Sequence, residues 1–315
     1  MGEDGRASRT IRGGAASLSK SNPSALAVHQ IRVILPSIPM PSLKKWFFSS
    51  LAGFCALSAS AAPYNRLYVF GDSYSDIGAG YVDCNGPTAV AYLAWKMGLT
   101  FTRPQAVKSG DKSLDFAVSG ARTGEGAGHH EKEAFLGYGM MNQVQDFAAR
   151  VHSGDIHFDP EATLFFIAGG LNDRPIPTET TISNLRQEIG ILKGLGGRHF
   201  TVSLLPTKIP SFSAVGKRLN PAIEHFVEEG RGQLGVDLWL NHWGADYDEV
   251  MDHAGAYGFV NTTSACAGRE FRDQDPVPKG DPSTYFFYHE GHPSTAVHRI
   301  VGLKLYDEVS REATP

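Results

Sequence analysis

Short apolar runs recur along most of the chain and alternate with longer stretches in which the apolar residues have helical spacing. The runs are rich in β-branched and aromatic residues and are continuously apolar, as expected for strands that are buried on both faces. Such alternation predicts an α/β fold, a three-layer α/β/α sandwich with a central parallel sheet of about five strands. The predicted strands lie at 67–70, 114–118, 163–167, 200–205 and 236–240, and the predicted helices at 88–97, 142–151, 182–195, 220–234 and 294–309.

The first 39 residues do not share this pattern. They are rich in Ser, Ala, Gly and Arg and have no clear apolar period, so we expect no packed structure there. A second methionine, Met40, follows this stretch. We hypothesise that translation starts at Met40 and that residues 1–39 are a non-native extension of the gene. A genuine N-terminal extension is the alternative.

Residues 40–61 have the order of a secretory signal peptide. Lys44 and Lys45 precede an apolar run at 46–57, and small residues up to Ala61 follow the run. The run is shorter than the roughly 20 apolar residues that a membrane-spanning helix needs. We therefore expect cleavage near Ala61, export to the periplasm or the medium, no stable membrane anchor, and one folded domain at 62–315.

The charge of the chain excludes one class of partner. The whole chain has a net charge of −4, and cleavage near Ala61 would remove seven basic and two acidic residues, which leaves a more acidic domain. Binding to nucleic acid depends on neutralisation of phosphates by Lys and Arg. We therefore expect no nucleic-acid partner.

Two cysteines remain after removal of the predicted signal peptide. Cys84 and Cys266 are candidates for a disulfide in an oxidising compartment. Two separate buried thiols are the alternative.

Polar segments follow three of the predicted strands, at the edge of a parallel sheet where ligands bind. After the first strand, Ser73 lies in a tight turn before a helix, where developing negative charge is favoured. After the second, Gly120 can bring a backbone N–H close to a ligand. After the third, Asn172 can donate its amide to an oxyanion. Each segment taken alone is also typical of an ordinary turn.

A fourth polar segment, Tyr-His-Glu-Gly-His-Pro-Ser, precedes the last predicted helix. Its proline and serine are suited to begin that helix, so His292 lies on a loop that can reach the same edge of the sheet as Ser73. Together the four segments resemble those of the GDSL, or SGNH, hydrolase superfamily. The family's four named residues fall here, in the family's order, at Ser73, Gly120, Asn172 and His292. The resemblance covers about residues 67 to 305.

The resemblance implies a flavodoxin-like SGNH hydrolase fold and a serine esterase without a cofactor. Ser73 would attack the acyl carbon and His292 would take its proton as the general base. The N–H groups of Ser73 and Gly120 and the amide of Asn172 would form an oxyanion hole.

The resemblance also sets the range of substrates. We expect a carboxylic-ester hydrolase for short-chain or acetyl esters, including carbohydrate-linked ones, because no amphipathic lid or basic lipid-binding stretch is evident. A lipase or phospholipase for lipid esters and an acyltransferase of the same fold are alternatives. An inactive glycan- or lipid-binding module is the alternative from another class. The oligomeric state stays open.

The sequence departs from the family's pattern at one position. Family members usually carry an Asp three residues before the catalytic His, where it holds the imidazole by its Nδ1–H; here that residue is His289. Three explanations are open: a Ser–His dyad in which a backbone carbonyl or water orients His292, replacement of the Asp by Glu290, or loss of activity. His289 and His292, with His298 or the pair His129 and His130, could also be considered as metal ligands, but we expect no functional metal.

Overall fold

The computed structural model of the chain describes residues 64–78, 83–104 and 112–313. The predicted N-terminal extension and signal peptide lie outside the described residues. Among the helices of the described ranges, none is both long enough and apolar enough to cross a membrane.

The described residues form strands and helices in alternation. The strands are β1 (Arg66–Gly71), β2 (Phe101–Thr102), β3 (Ser113–Asp115), β4 (Ala127–Glu131), β5 (Ala134–Tyr138), β6 (Thr163–Ala168), β7 (His199–Ser203), β8 (Asp237–Asn241), β9 (Phe287–His289) and β10 (His292–Pro293). The α-helices are α1 (Ala89–Lys96), α2 (Met140–His152), α3 (Thr178–Gly194), α4 (Ser213–Gln233), α5 (Trp243–Asp252) and α6 (Thr295–Glu312). Short 3-10 helices lie at Pro160–Ala162, Ala254–Tyr257, Glu270–Arg272 and Pro282–Thr284.

A central parallel sheet organises the fold, as the sequence predicted. Within the described residues its strand order is β2-β3-β1-β6-β7-β8, and each neighbouring pair is parallel. The five predicted strands correspond to β1, β3, β6, β7 and β8, and the two-residue edge strand β2 makes a sixth. Two antiparallel hairpins, β4–β5 and β9–β10, lie outside this sheet.

Helices cover the sheet on both sides. Helix α6 packs against α1 and α5, while α3 packs against α2 and α4. These two groups form the outer layers of the α/β/α sandwich. The chain leaves β1 toward β2 and β3 on one side and continues from β6 to β8 on the other, so the switch in direction falls beside β1. Ligands bind at such a switch point, beyond the carboxyl ends of the strands.

The central strands are buried because both of their faces are apolar. All six residues of β6 are buried, and β1 is buried from Leu67 onward. Phe165 of β6 stacks on Phe200 of β7 with ring centroids 5.1 Å apart. Full burial of one such side chain stabilises the fold by about 1.5–3 kcal/mol. The continuous apolar runs of the sequence therefore correspond to strands covered on two sides.

Helix α4 begins earlier than the sequence predicted. The expected start was residue 220, whereas the helix begins at Ser213 and contains Pro221 in its interior. Proline removes one backbone donor from a helix and usually marks a boundary. Val215 and Leu219 precede this proline and pack in the core, and their burial stabilises the additional helical residues at the N-terminal end.

The structure does not form the disulfide that the sequence raised as a candidate. Cys84 and Cys266 are both buried free thiols. The Cys84 thiol donates to the Gly86 carbonyl at 2.6 Å and the Cys266 thiol to the Gly280 carbonyl at 3.7 Å. Burial raises the pKa of the Cys84 thiol to about 12, so this sulfur stays protonated and a poor nucleophile.

Candidate active site

Ser73 lies in the turn that follows β1. The carbonyl of Asp72 accepts hydrogen bonds from the backbone N–H groups of Ser75 and Asp76, both at 3.0 Å. Gly71 permits this turn to begin close to β6, because a Cβ atom at this position would lie 2.7 Å from the Ala168 carbonyl oxygen. The Gly-Asp-Ser sequence therefore ends the strand sharply and leaves Ser73 only 6% exposed.

Side chains join the turn after β1 to the loop after β3. A carboxylate oxygen of Asp76 accepts hydrogen bonds from the backbone N–H and the hydroxyl of Ser119, at 2.8 and 3.1 Å. The amide of Gln143, on α2, pairs with both the N–H and the carbonyl of Gly71. The Asp76–Ser119 contacts hold Ser73 and the loop of Gly120 next to each other, and Gln143 joins the start of the turn to α2.

The third strand-end loop is joined to the second in the same way. Buried Asp173 accepts hydrogen bonds from the N–H and the hydroxyl of Thr123, at 3.1 and 2.6 Å. The amide nitrogen of Asn172 donates to the Ala121 carbonyl at 2.9 Å. The contact uses one of the two N–H bonds of this amide, so it fixes the amide plane next to Gly120 and leaves the second N–H for another acceptor.

Two backbone donors complete this edge of the sheet. Gly120 has φ +78°, a left-handed conformation that favours glycine. Within the described ranges, the N–H groups of Ser73 and Gly120 have no hydrogen-bond acceptor. The structure thus places the predicted Ser73, Gly120 and Asn172 on adjacent loops that hydrogen bonds join to one another.

His292 reaches the same edge from the C-terminal part of the chain. Its Nε2 atom lies 2.7 Å from the Ser73 hydroxyl oxygen. The hydroxyl of buried Tyr74 donates to the Gly291 carbonyl at 2.7 Å, and the Tyr74 ring packs 5.6 Å from the imidazole. Tyr74, which directly follows Ser73 in sequence, therefore holds the turn that leads into His292 at the start of β10.

The Nδ1 atom of His292 faces a backbone carbonyl. The Glu290 carbonyl oxygen lies 3.1 Å away, while the Glu290 side chain is exposed. His289, at the family's usual Asp position, is buried and has its own Nδ1 atom 3.1 Å from the Ala267 carbonyl. Burial lowers the pKa of His289, and a neutral imidazole cannot supply the charge of a carboxylate.

Two charged residues that the sequence analysis did not single out also contact His292. A guanidinium nitrogen of Arg269, Nη2, lies 2.5 Å from Nδ1, and a carboxylate oxygen of Asp83 lies 3.6 Å from Nε2. Arg269 Nε and Asp83 Oδ1 form an ion pair at 3.0 Å, and their side chains are only 13% and 7% exposed. Both residues lie in irregular loops, where no periodic pattern marks them.

Burial dominates the electrostatics of the site. It lowers the pKa of His292 to about 3, with a further lowering by the positive charge of Arg269. It also raises the pKa of Asp83 to about 6, although the neighbouring Arg269 opposes that rise. His292 is therefore a neutral imidazole at neutral pH, which is the protonation state that a general base requires.

A cavity of about 540 Å³ lies beside the β9–β10 hairpin, where Tyr288 and His289 of β9 line it. Gly78 and His289 line it, and Phe271 and Tyr288 supply aromatic surface, whereas Ser73 and His292 are not among its lining residues. Lys132, at the tip of the β4–β5 hairpin, also lines the cavity and forms an ion pair with Asp273. The cavity is large enough to take part of a small organic substrate.

The histidines considered as metal ligands are not gathered into one centre. Among the residues that the structure describes, no group of three or more His, Cys, Asp or Glu side chains is arranged to hold a metal ion. His298 instead accepts a hydrogen bond at Nδ1 from the Tyr247 hydroxyl at 2.7 Å.

The fold and these four segments place the chain in a known family. The chain belongs to the GDSL-like Lipase/Acylhydrolase family, whose model matches residues 67–305. Family membership supports general esterase or lipase activity.

Individual relatives share only a small fraction of identical residues with this chain. A GDSL esterase/lipase of Arabidopsis thaliana is 24% identical over 83% of this chain and 91% of its own length. Among solved structures, a lipolytic protein of the G-D-S-L family from Veillonella parvula is 13% identical with a TM-score of 0.44, over 77% of this chain and 96% of that chain. A family 3 carbohydrate esterase from Clostridium thermocellum is 14% identical with a TM-score of 0.44, over 79% of this chain and 99% of that chain.

Proposed function

We propose that this protein hydrolyses carboxylic esters through a covalent acyl-enzyme on Ser73. The observation that carries the proposal is the 2.7 Å distance between the Ser73 hydroxyl oxygen and Nε2 of His292. A serine becomes a nucleophile when a neutral base lies within hydrogen-bond distance of its hydroxyl. Burial keeps His292 neutral at neutral pH, which is the charge state that a general base needs.

The reaction follows from these positions. Ser73 Oγ attacks the acyl carbon while its proton passes to Nε2 of His292, and the alcohol leaves with that proton. Water then attacks the acyl-enzyme while His292 takes one of its protons; the bond from the acyl carbon to Ser73 Oγ breaks, His292 returns the proton to Oγ, and the acid leaves. The acyl oxygen, negative in each tetrahedral intermediate, accepts hydrogen bonds from the N–H groups of Ser73 and Gly120 and from the amide of Asn172. Each such donor contributes about 10²- to 10³-fold in rate.

Short-chain or acetyl esters, including carbohydrate-linked ones, are the substrates we propose. The cavity beside His289 is lined by the aromatic residues Phe271 and Tyr288 together with charged residues. This mixture fits a compact, partly polar group better than a long acyl chain. We further propose that the protein acts outside the cytoplasm, after cleavage near Ala61.

A series of p-nitrophenyl esters tests both parts of the proposal. Hydrolysis of the acetate, butyrate and palmitate is compared for the wild-type protein and the Ser73→Ala variant, with Ser75→Ala as the matched control. Ser75 lies two residues further on, and its buried hydroxyl has no hydrogen-bond partner within the described residues. We expect turnover to disappear only in Ser73→Ala and to decrease from acetate to palmitate. Equal turnover by Ser73→Ala and wild type would overturn the mechanism, and faster palmitate hydrolysis would overturn the substrate class.

A further inference from the structure

The contact between Arg269 and His292 has the wrong polarity for a working general base. A guanidinium group donates hydrogen bonds and accepts none. Arg269 Nη2 lies 2.5 Å from Nδ1 of His292, so Nδ1 must be the acceptor in this contact. A neutral imidazole then carries its proton on Nε2. An Nε2–H group donates to the Ser73 hydroxyl and cannot take the serine proton.

Asp83 reinforces the same arrangement from the other side of the ring. One of its carboxylate oxygens lies 3.6 Å from Nε2 of His292, where it favours a proton on that nitrogen. Its other oxygen pairs with Arg269 Nε at 3.0 Å. The imidazole therefore has a cation at Nδ1 and an anion near Nε2. A catalytic triad has the opposite order, with the carboxylate at Nδ1.

A second partner for Nδ1 is already in place. The Glu290 carbonyl oxygen lies 3.1 Å from Nδ1 and also 3.1 Å from Arg269 Nη2. If Arg269 withdraws from Nδ1, that carbonyl can accept a hydrogen bond from Nδ1–H. Nε2 is then the unprotonated atom and faces Ser73, which is the arrangement that general-base catalysis needs.

We propose that Arg269 is a positioning residue that holds His292 in the Nε2–H tautomer in the resting protein. The ion pair with Asp83 keeps the Arg269 side chain close to His292 after the guanidinium group has moved away from Nδ1. This inference rests on the proposed esterase function. The tautomer change needs no net proton: Nε2 gives its proton to water and Nδ1 takes one from water. Arg269 also opposes the imidazolium that forms when Ser73 attacks, because the two cations would be adjacent.

Other titratable and charged groups around His292 also influence its pKa. The titratable and charged groups that face the ring or lie near it are Ser73, Tyr74, Asp83, Arg174, Arg269, Arg272, His289 and His298. Burial and the three arginines lower the pKa of His292, and Arg269 has the largest effect among the arginines. Arg272 ends the 3-10 helix that directly follows Arg269, and its half-exposed side chain pairs weakly with Glu131, at 3.9 Å.

Three variants separate the local contact from the general effect of positive charge. Arg269→Met removes the donor and keeps an unbranched side chain, Arg269→Lys keeps a charged donor, and Arg272→Met removes a neighbouring charge that does not contact His292. The pH dependence of kcat/KM for p-nitrophenyl acetate is measured for each, after thermal unfolding shows that each is folded.

We expect Arg269→Met to raise kcat/KM by roughly tenfold and to move the acid limb of the profile upward by about one pH unit or more, because the imidazole becomes a stronger base. Arg269→Lys should retain most of the wild-type behaviour, and Arg272→Met should move the acid limb much less than Arg269→Met. A lower kcat/KM in Arg269→Met, or an acid limb that stays in place, would overturn the proposal.

A measurement on the wild-type protein tests the tautomer directly and needs no turnover. Nitrogen NMR of protein labelled with ¹⁵N-histidine distinguishes a protonated ring nitrogen from an unprotonated one, and the His292 signals are assigned from their loss in His292→Asn. We expect an unprotonated Nδ1 near neutral pH in wild type and a protonated Nδ1 in Arg269→Met. A protonated Nδ1 in wild type would refute the proposed role of Arg269. Failure of the esterase proposal would look different, since wild type and Arg269→Met would then both lack turnover whatever the tautomer.

Discussion

Replacement of Tyr74 by Phe tests whether the hydrogen bond from the Tyr74 hydroxyl to the Gly291 carbonyl positions His292. The Tyr74 side chain is fully buried, and its hydroxyl donates to the Gly291 carbonyl at 2.7 Å. Burial raises the pKa of Tyr74 well above its usual value, so the hydroxyl remains a donor throughout the working pH range. The ring also packs against the His292 imidazole, at 5.6 Å between centroids. Tyr74→Phe removes the oxygen and keeps the ring.

The size of the effect follows from what the substitution leaves behind. Loss of one partner of a buried hydrogen bond typically costs about 1–3 kcal/mol, because the remaining carbonyl is desolvated without a partner. Gly291 directly precedes His292, so the freed carbonyl also loosens the turn that leads into β10. A misplacement of about 1 Å can reduce the rate by 10²-fold. We therefore expect a lower free energy of unfolding and a loss of kcat of at least about tenfold, with little change in KM.

The assay combines urea unfolding with steady-state kinetics on p-nitrophenyl acetate. Tyr92→Phe is the matched control, because the Tyr92 hydroxyl also makes a hydrogen bond, to the Thr295 hydroxyl at 2.9 Å, without contacting His292. The control should lose some stability and retain kcat. The account of Tyr74 would be refuted by a Tyr74→Phe variant with wild-type kcat, or by an equal loss of kcat in both variants.

Two further predictions concern the proposed oxyanion hole and a buried carboxyl. Asn172→Ala should reduce kcat by about 10²- to 10³-fold with a small change in KM; an unchanged kcat would exclude the amide from the hole. Glu188 is fully buried, and both of its carboxyl oxygens lack a hydrogen-bond partner within the described residues. Burial, and next the charge of Asp173, raise its pKa well above the usual value. Since the folded state holds this proton more tightly than the unfolded state, stability falls as the pH rises above the unfolded pKa, by at most about 1.4 kcal/mol per pH unit. Glu188→Gln should therefore gain stability over wild type in urea unfolding as the pH rises from about 4 to 7, and a constant difference between them would contradict the assignment.

The sequence predicted the parts of the fold in which burial on two faces leaves a continuous apolar run. The five strands β1, β3, β6, β7 and β8 were found for this reason. The edge strand β2 has two residues, too few to form a pattern. The β4–β5 hairpin carries adjacent histidines, His129 and His130, on an exposed strand, so it lacks the alternation typical of a half-buried strand. Helix α5, which has a large polar face, was missed as well.

Some residues of the candidate site could be predicted from sequence motifs and others could not. Ser73, Gly120, Asn172 and His292 were predicted because each lies in a short motif at a fixed place beside a strand or helix. Arg269 and Asp83 could not be predicted from pattern, since each lies in an irregular loop and they meet only through the folding of segments far apart in the chain. The sequence also left open whether Cys84 and Cys266 form a disulfide or stay separate buried thiols, because cysteine count shows only that a bond is available, and in the structure both are free.

Trapping of the nucleophile tests the central claim most directly. The protein is treated with a fluorophosphonate, which phosphonylates an activated serine, and the adduct is located by peptide mass spectrometry. We predict a single adduct on Ser73, formed with loss of ester hydrolysis and absent from Ser73→Ala and His292→Ala. An adduct on another residue, or full ester hydrolysis by a protein whose Ser73 is phosphonylated, would contradict the account.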